Sequence, residues 1–243
     1  MNATIYPTSD IEFYKDRYKE ITSIEIKSKN RKSDQDPAEI IKEFLANGVI
    51  LESLSIKEAS QLTYLPKELS TCPIKKLTIL NCENFSSIEM LEHLPHLEYL
   101  NLSGLTLNVG KGIPFLPNLQ ELKLHYKSYQ SDTGLLTNDL PDLHTLKLRA
   151  EEAINIGMNF PNLPKLRNLF IEAPTINTLE GLSICTNLEE IYLINLDTES
   201  LPKWFSNFKK VTWFYIEFLR KFCLLYTSPS PRDATLSRMP SSA

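Results

Sequence analysis

The sequence predicts an α/β fold, a solenoid curved like a horseshoe whose concave face is a parallel β-sheet of about nine short strands. Two observations predict it. An apolar triplet, written LxxLxL in one-letter code, recurs about every 23 residues. The segments between triplets are long enough to return across the sheet, and most of them contain proline. A fixed period of this length indicates that each unit buries its apolar face only against a neighbouring unit.

The triplet occurs nine times, at intervals of 30, 23, 23, 22, 24, 23, 22 and 23 residues. Its first residues are Ile21, Leu51, Ile74, Leu97, Leu119, Leu143, Leu166, Leu188 and Val211. The last two apolar residues of a triplet sit at alternating positions, as Leu54 and Ile56 do, so a β-strand points both to one side. We expect that side to form the core, while the sheet grows by one strand per repeat at roughly 4.8 Å.

The amino-acid sequences of the triplets point to a known family. The segments are LESLSI from Leu51, IKKLTI from Ile74, LEYLNL from Leu97, LQELKL from Leu119, LHTLKL from Leu143, LRNLFI from Leu166, LEEIYL from Leu188 and VTWFYI from Val211. Leu62, Leu65 and Pro66 follow the second triplet, and Leu201 and Pro202 follow the eighth. These units resemble leucine-rich repeats from about Ile21 to Lys221. The resemblance implies a horseshoe fold and a role in recognising proteins.

One feature departs from this resemblance. The family usually places Asn or Cys three residues after the last apolar residue of the triplet, where its side chain bonds to the backbone of adjacent turns. Only Cys82 fits, because the other positions are Ala59, Leu105, Lys127, Glu151, Pro174, Leu196 and Leu219. We therefore expect backbone groups in these turns to find other partners, such as water or neighbouring main chain.

The segments that return between strands differ along the chain. The first contains one clear α-helix near residues 37–47, since Asp36 can cap it, Pro37 suits its first position and Glu39 can complete a capping box. Asn47 and Gly48 then stop it. The later returns are shorter and carry prolines, which predicts mostly irregular or 3₁₀-helical segments on the convex side.

Three regions follow from these patterns. Residues 1–20 precede the first triplet and are rich in Ile, Phe and Tyr, so we expect an amino-terminal cap. The resemblance implies that residues 21–221 form a leucine-rich repeat domain. Residues 222–243 lack the repeat and are rich in Ser, Pro and Arg, so we expect a disordered tail. Residues 223–243 also closely resemble translated sequencing-adapter or vector DNA, which predicts that the tail is non-native and the chain a fragment; a genuine disordered tail is the alternative.

Composition restricts the function classes. The net charge of −4 argues against a general nucleic-acid or anionic-membrane binder. No apolar run of 18 residues and no secretory signal occur, so we expect a cytoplasmic protein without a membrane span. Four cysteines are too scattered for a disulfide framework or zinc site and are interpreted as small apolar residues. No cofactor and no metal are expected.

No residue pattern predicts catalysis. The stretch Gly110-Lys111-Gly112 lacks the spacing and hydroxyl residue of a phosphate-binding loop, and a plain turn is the better interpretation. His93 and His96 lie three apart, as metal ligands on a helix can, but Pro95 between them favours a solvated loop. We therefore assign no catalytic residue and expect no enzyme activity in this chain.

The outward residues of the strands are the candidate site, since a parallel sheet aligns equivalent positions into columns. Basic residues cluster on the strands of the fifth and sixth triplets, and aromatic and aliphatic residues follow on the seventh to ninth. The candidate partner-binding residues are Lys123, His125, Lys147, Arg149, Phe170, Tyr192, Ile194, Trp213 and Tyr215. Aromatics and Arg concentrate binding energy at interfaces, so an acidic peptide with an apolar anchor would match. A solvated face of ordinary strand residues is the alternative.

Three functions remain open from the sequence. The first is a non-enzymatic module that binds a partner protein or peptide, and neither nucleic acid nor a membrane, on the concave sheet. Single-stranded nucleic acid fits less well because Glu121, Glu172, Glu190 and Glu217 interrupt the surface. The second is the substrate-recognition fragment of a larger truncated enzyme, such as a ubiquitin ligase or kinase. The third is a structural or self-associating protein. The sequence does not determine the oligomeric state.

Overall fold

The structure of the chain is a computed structural model. It describes residues 1–6, 11–28, 35–107, 112–129, 136, 138–157, 160–198, 200–218 and 223–227. For residues 11, 12, 105–107, 126–129, 155 and 223–227 it describes the backbone alone.

Twelve strands in this part of the chain form one sheet. They are β1 Asn2–Ile5, β2 Ser23–Lys27, β3 Ser53–Lys57, β4 Lys76–Leu80, β5 Tyr99–Leu107, β6 Glu121–Tyr129, β7 Thr145–Ala150, β8 Ile154–Asn155, β9 Asn168–Thr178, β10 Glu190–Leu196, β11 Trp213–Phe218 and β12 Cys223–Thr227. They lie side by side in chain order, except that β7 pairs directly with β9 and β8 attaches to β9 alone.

The sheet confirms the coarse prediction of an α/β solenoid with a parallel sheet. Each of the nine triplets supplies one strand, β2 to β7 and β9 to β11, and every pairing among these strands is parallel. Three strands were not predicted: β1 in the amino-terminal segment, the short β8, and β12, which pairs antiparallel with β11.

A backbone junction repeats immediately before the strands β3 to β7 and β9 to β11. The N–H groups of Glu98 and Tyr99 both donate to the carbonyl oxygen of Lys75, at 2.8 and 2.9 Å. The equivalent carbonyl oxygens accept in the same way from the next repeat at Thr22, Glu52, Glu98, Gln120, His144, Arg167 and Glu189. Two consecutive donors sharing one acceptor hold each repeat in the register of the one before it, so the equivalent side chains line up.

The turns after several strands use a left-handed backbone conformation at the same repeat position. Glu58, Asn81, Gly104 and Asn195 each lie seven residues after the start of their triplet and have φ values of 56°, 53°, 71° and 69°. The N–H of Glu58 donates to Leu80 O, and that of Asn81 to Ser103 O, at 2.9 and 2.8 Å. Backbone groups in these turns thus bond to the main chain of the next repeat, as expected where the family's Asn or Cys is absent. The Sγ of Cys82 donates to the carbonyl oxygens of Leu80 and Ile56 at 3.4 and 3.9 Å.

The return segments follow the proline pattern. The α-helix of the described residues, α1, spans Pro37–Ala46, and Asp36 Oδ1 accepts from the N–H of Ala38 at 2.9 Å. Glu39 does not complete the predicted capping box and instead pairs with Lys42 at 2.7 Å. Short 3₁₀ helices occupy other returns: Lys67–Thr71, Glu89–His93, Glu180–Ile184 and Lys203–Asn207.

The core is a continuous line of apolar side chains between the sheet and the returns. At the amino-terminal end, a 3₁₀ helix at Ile11–Glu20 follows β1, and its Tyr18 packs edge-on against Phe44 of α1, with ring centroids 5.4 Å apart. At the other end Trp204, Phe205 and Phe208 pack on one another but stay half-exposed.

The predicted tail from residue 222 onward has a described part and an undescribed part. Residues 223–227 form β12. Residues 222 and 228–243 lie outside the described residues. Within the described part of the chain, no helix has the length and apolar character needed to cross a membrane.

Candidate binding face

The face of the sheet opposite the core is formed by the side chains that alternate with the buried ones, and we call it the open face. The pairing register aligns its middle column across nine strands. This column reads Glu25, Ser55, Thr78, Asn101, Lys123, Lys147, Phe170, Tyr192 and Tyr215. A second column on one side ends in Glu190 and Trp213, and a third on the other side includes His125, Arg149, Glu172 and Ile194. All nine predicted partner-binding residues therefore lie on this one surface.

The basic residues predicted on β6 and β7 are adjacent but partly neutralised. Lys123 opposes Lys147, and His125 opposes Arg149. Arg149 Nη2 lies 3.0 Å from Glu172 Oε1. The imidazole of His125 lies 3.9 Å from the carboxylate of Glu151. These acidic partners reduce the positive potential of the cluster. The sequence columns alone therefore overstate its positive charge.

Lys123 is the most constrained of these bases. Its Nζ lies 2.9 Å from Glu121 Oε1, donates to Tyr99 Oη at 3.2 Å, and stands 5.0 Å from the centre of the Tyr99 ring. Burial lowers the pKa of Lys123, but the hydrogen bonds to Glu121 and Tyr99 outweigh it and the pKa rises overall. Lys123 therefore stays charged. Tyr99 was absent from the predicted set, although its column position one strand away could have revealed it.

The aromatic residues form a contiguous ladder across β9, β10 and β11. The ring of Tyr192 lies 6.1 Å from that of Phe170, 6.1 Å from that of Tyr215 and 6.5 Å from that of Trp213. The interplanar angles are 33–36°, so neighbouring rings are tilted relative to one another. All four side chains are half-buried. The exposed ring faces together form one apolar platform.

Two polar details frame this aromatic ladder. The indole Nε1 of Trp213 is shielded from solvent and has no hydrogen-bond acceptor among the described residues. Tyr215 Oη donates to Glu217 Oε2 at 3.3 Å, which holds this carboxylate beside the ring. Ile194 lies between Glu172 and Glu217 in the third column. The platform is therefore apolar in its centre and acidic at its border.

The other candidate positions show no comparable arrangement. His93 ends a 3₁₀ helix and His96 follows it, and both are exposed. The described residues contain no group of three or more His, Cys, Asp or Glu side chains placed to hold a metal ion. Cys72, Cys82 and Cys185 are buried free thiols. Lys111 lies outside the described residues, as does Gly110.

Comparison with known proteins adds no identification. No protein-family model matches the chain, and no curated protein matches it either. The open face and its residues therefore carry the functional argument on their own.

Proposed function

We propose that this protein is a non-enzymatic recognition module of the leucine-rich repeat type, which binds a partner protein or peptide on the open face of its sheet. One observation carries the proposal: the ladder of Phe170, Tyr192, Trp213 and Tyr215 is contiguous and half-exposed. Isolated exposed apolar residues are ordinary, whereas contiguous aromatic patches mark interaction sites.

The shape of the face supports a macromolecular partner. Nine parallel strands at roughly 4.8 Å spacing make a surface about 38 Å long from β2 to β11. Its side chains project from rigid strands whose register is fixed by the repeated backbone junctions. Rigid aromatic anchors lose little conformational entropy on binding, so they can contribute most of the affinity. We expect the sheet to curve with this face on the concave side, because the returns are wider than the strands.

A displayed library of random peptides of about 16 residues tests the proposal without assuming any particular partner. The library is selected on the immobilised wild-type chain and, in parallel, on a variant with Phe170→Ala, Tyr192→Ala and Trp213→Ala. We expect peptides enriched on the wild type to bind the variant at least about tenfold more weakly. Both proteins should show the same circular dichroism spectrum and cooperative unfolding.

A matched control removes apolar side chains elsewhere. Phe115 and Ile184 are exposed on return segments, 56% and 52% respectively, so Phe115→Ala and Ile184→Ala should leave peptide binding unchanged. If no peptide is enriched on the wild type relative to the aromatic variant, the open face is not a recognition surface of this kind and the proposal is wrong.

A further inference from the structure

Charge is segregated along the open face. The columns of β2 to β7 carry six bases and two acids: Lys27, Lys57, Lys76, Lys123, Lys147 and Arg149 against Glu25 and Glu121. The columns of β9 to β11 carry three acids, Glu172, Glu190 and Glu217, and no base. Formal charge therefore changes from +4 on the first group of strands to −3 on the second. The aromatic ladder lies entirely within the acidic part.

The ion pairs within the face sharpen this contrast. Glu25 is shared by Lys57 and Lys27, Glu121 pairs with Lys123, and Glu172 pairs with Arg149. Lys76 and Lys147 are exposed and have no ion-pair partner among the described residues. Glu190 is exposed and likewise unpaired in the described part of the chain. Glu217 accepts a hydrogen bond from the Tyr215 hydroxyl and pairs with no cation among those same residues. Unpaired charge thus has opposite sign at the two ends.

The face also contains an internal example of how it holds a cation. The ammonium group of Lys123 lies 5.0 Å from the centre of the Tyr99 ring and 2.9 Å from the carboxylate of Glu121, so it meets one aromatic ring and one carboxylate. At β10 and β11 the rings of Tyr192 and Tyr215 and the carboxylates of Glu190 and Glu217 are present, but the columns supply no cation. An aromatic face bordered by a carboxylate attracts an ammonium or guanidinium group through both its quadrupole and its charge.

We propose that the partner is an extended segment of opposite polarity, with an Arg or Lys side chain on the aromatic ladder between Glu190 and Glu217 and acidic residues toward Lys147 and Lys76. This inference rests on the proposed function and specifies its ligand. Lys147 lies two strand spacings from Glu190, roughly 10 Å, and Lys76 five spacings, roughly 24 Å. A segment lying across the strands would thus place acids about three and about seven residues from its cation.

A uniformly acidic partner fits this geometry less well. Its carboxylates would approach Glu190 and Glu217 over the same rings that provide its apolar anchor. Repulsion between like charges at such short range disfavours binding of that partner. The polarity also sets one direction of binding, because a reversed segment would place acid on acid and base on base.

The peptides enriched on the wild-type chain in the display selection provide the test. We expect them to contain Arg or Lys beside an aromatic or aliphatic residue, with Asp or Glu displaced to one side by about three residues. For a synthetic copy of the best sequence, replacing that Arg by citrulline, or that Lys by glutamine, should weaken binding about 3- to 30-fold. In a variant with Glu190→Gln and Glu217→Gln, the same replacement should change affinity less than about twofold.

Two controls keep the result specific. Glu89→Gln removes an exposed carboxylate from a return segment and should preserve the full effect of the replacement. Arg220→Gln with Lys221→Gln removes the first two cations that follow Glu217 in the sequence. This variant should also preserve the full effect of the replacement in the peptide. Enriched peptides without a cation, or a cation whose effect survives in the Glu190 and Glu217 variant, would overturn this inference while leaving the proposed function intact. Absence of any enriched peptide would instead count against the proposed function itself.

Discussion

The side-chain amide of Asn187 donates from Nδ2 to the carbonyl oxygen of Pro164, at 2.6 Å, and so joins its repeat to the one before. Its Oδ1 accepts from Lys210 Nζ in the following repeat, also at 2.6 Å. Asn118 makes the equivalent bond to Pro95 O at 2.8 Å. These amides lie just before the strands, whereas the family resemblance predicts them just after. The chain therefore has amide contacts between repeats before the strands, and Asn195 adds one at the end of β10, where its Nδ2 donates to Ala173 O at 2.7 Å.

Replacing Asn187 by Ala should destabilise the protein by about 1–2 kcal/mol, because it removes two hydrogen bonds between repeats. Urea denaturation followed by circular dichroism measures this change. Asn162→Ala is the matched control, since that exposed side chain makes no bond in the described part of the chain, and its effect should stay within about 0.5 kcal/mol. Equal effects of the two substitutions would show that the amide contacts contribute nothing.

Gly104 should accept a side chain only with a loss of stability. Its φ is 71°, and a Cβ built on it would overlap Oδ1 of Asn81, which occupies the same turn position one repeat earlier. We expect Gly104→Ala to cost about 1–3 kcal/mol, from left-handed strain together with displacement of the exposed Asn81 side chain. Gly48 has a similar φ of 81° with nothing within 4 Å of the added Cβ, so Gly48→Ala should cost only about 1 kcal/mol.

The double variant separates the two causes at Gly104. Asn81→Ala removes the overlapping oxygen, so it should lower the cost of Gly104→Ala to near that at Gly48. Thermal or urea unfolding of the four proteins gives the coupling. If the cost at Gly104 is unchanged by Asn81→Ala, strain alone accounts for it.

Glu25 should make stability depend on pH in the acid range. A hydrogen bond from Lys57, at 2.7 Å, and a second from Lys27 lower the pKa of Glu25 in the folded protein. A lowered folded-state pKa stabilises the fold above the unfolded value of about 4.3, and this contribution disappears as the pH falls through the folded-state pKa. Glu25→Gln should therefore cost about 0.5–1 kcal/mol at neutral pH and progressively less below about pH 4.3.

Urea midpoints of wild type and Glu25→Gln across the pH range give this difference. Glu89→Gln, on a return segment, serves as the control for loss of one negative charge. A difference that persists undiminished in acid would indicate lost packing rather than lost ion pairs.

The buried thiols should resist modification in the folded protein. Burial raises the pKa of Cys82 to about 11 and that of Cys185 to about 12. At pH 8 only about one Cys82 side chain in a thousand is then thiolate, the form that reacts. In a Cys223→Ser variant, Ellman's reagent should label Cys72, Cys82 and Cys185 slowly in buffer and quickly in concentrated urea. Rapid labelling in buffer would show that these repeats open locally.

The repeat period predicted much of the fold and which side chains share the open face. Each of β2 to β7 and β9 to β11 begins within its triplet, and the buried residues are those that the alternation selects, such as Leu54 and Ile56. The strands β1, β8 and β12 escaped prediction because they lack the triplet. Their pairing depends on a neighbouring strand that is already in place.

The site was predictable as a set of residues but not as a set of interactions. Phe170, Tyr192 and Tyr215 follow from the register, since equivalent positions must align in a parallel sheet. The pairing of Arg149 with Glu172, and of Lys123 with both Glu121 and Tyr99, does not follow. A long side chain can reach several neighbours from one column position, and the surrounding side chains decide which one it meets.

The sequence by itself determined the period, the identity of the core and the assignment of outward residues to columns, because these depend only on spacing along one strand and on a constant repeat length. The tertiary structure alone decided that Gly104 lies against Asn81, that Asn187 joins three repeats, and that unpaired charge on the open face changes sign between Lys147 and Glu190. These contacts join residues of different repeats, so they depend on backbone turns and side-chain rotamers that exist only once the repeats are stacked.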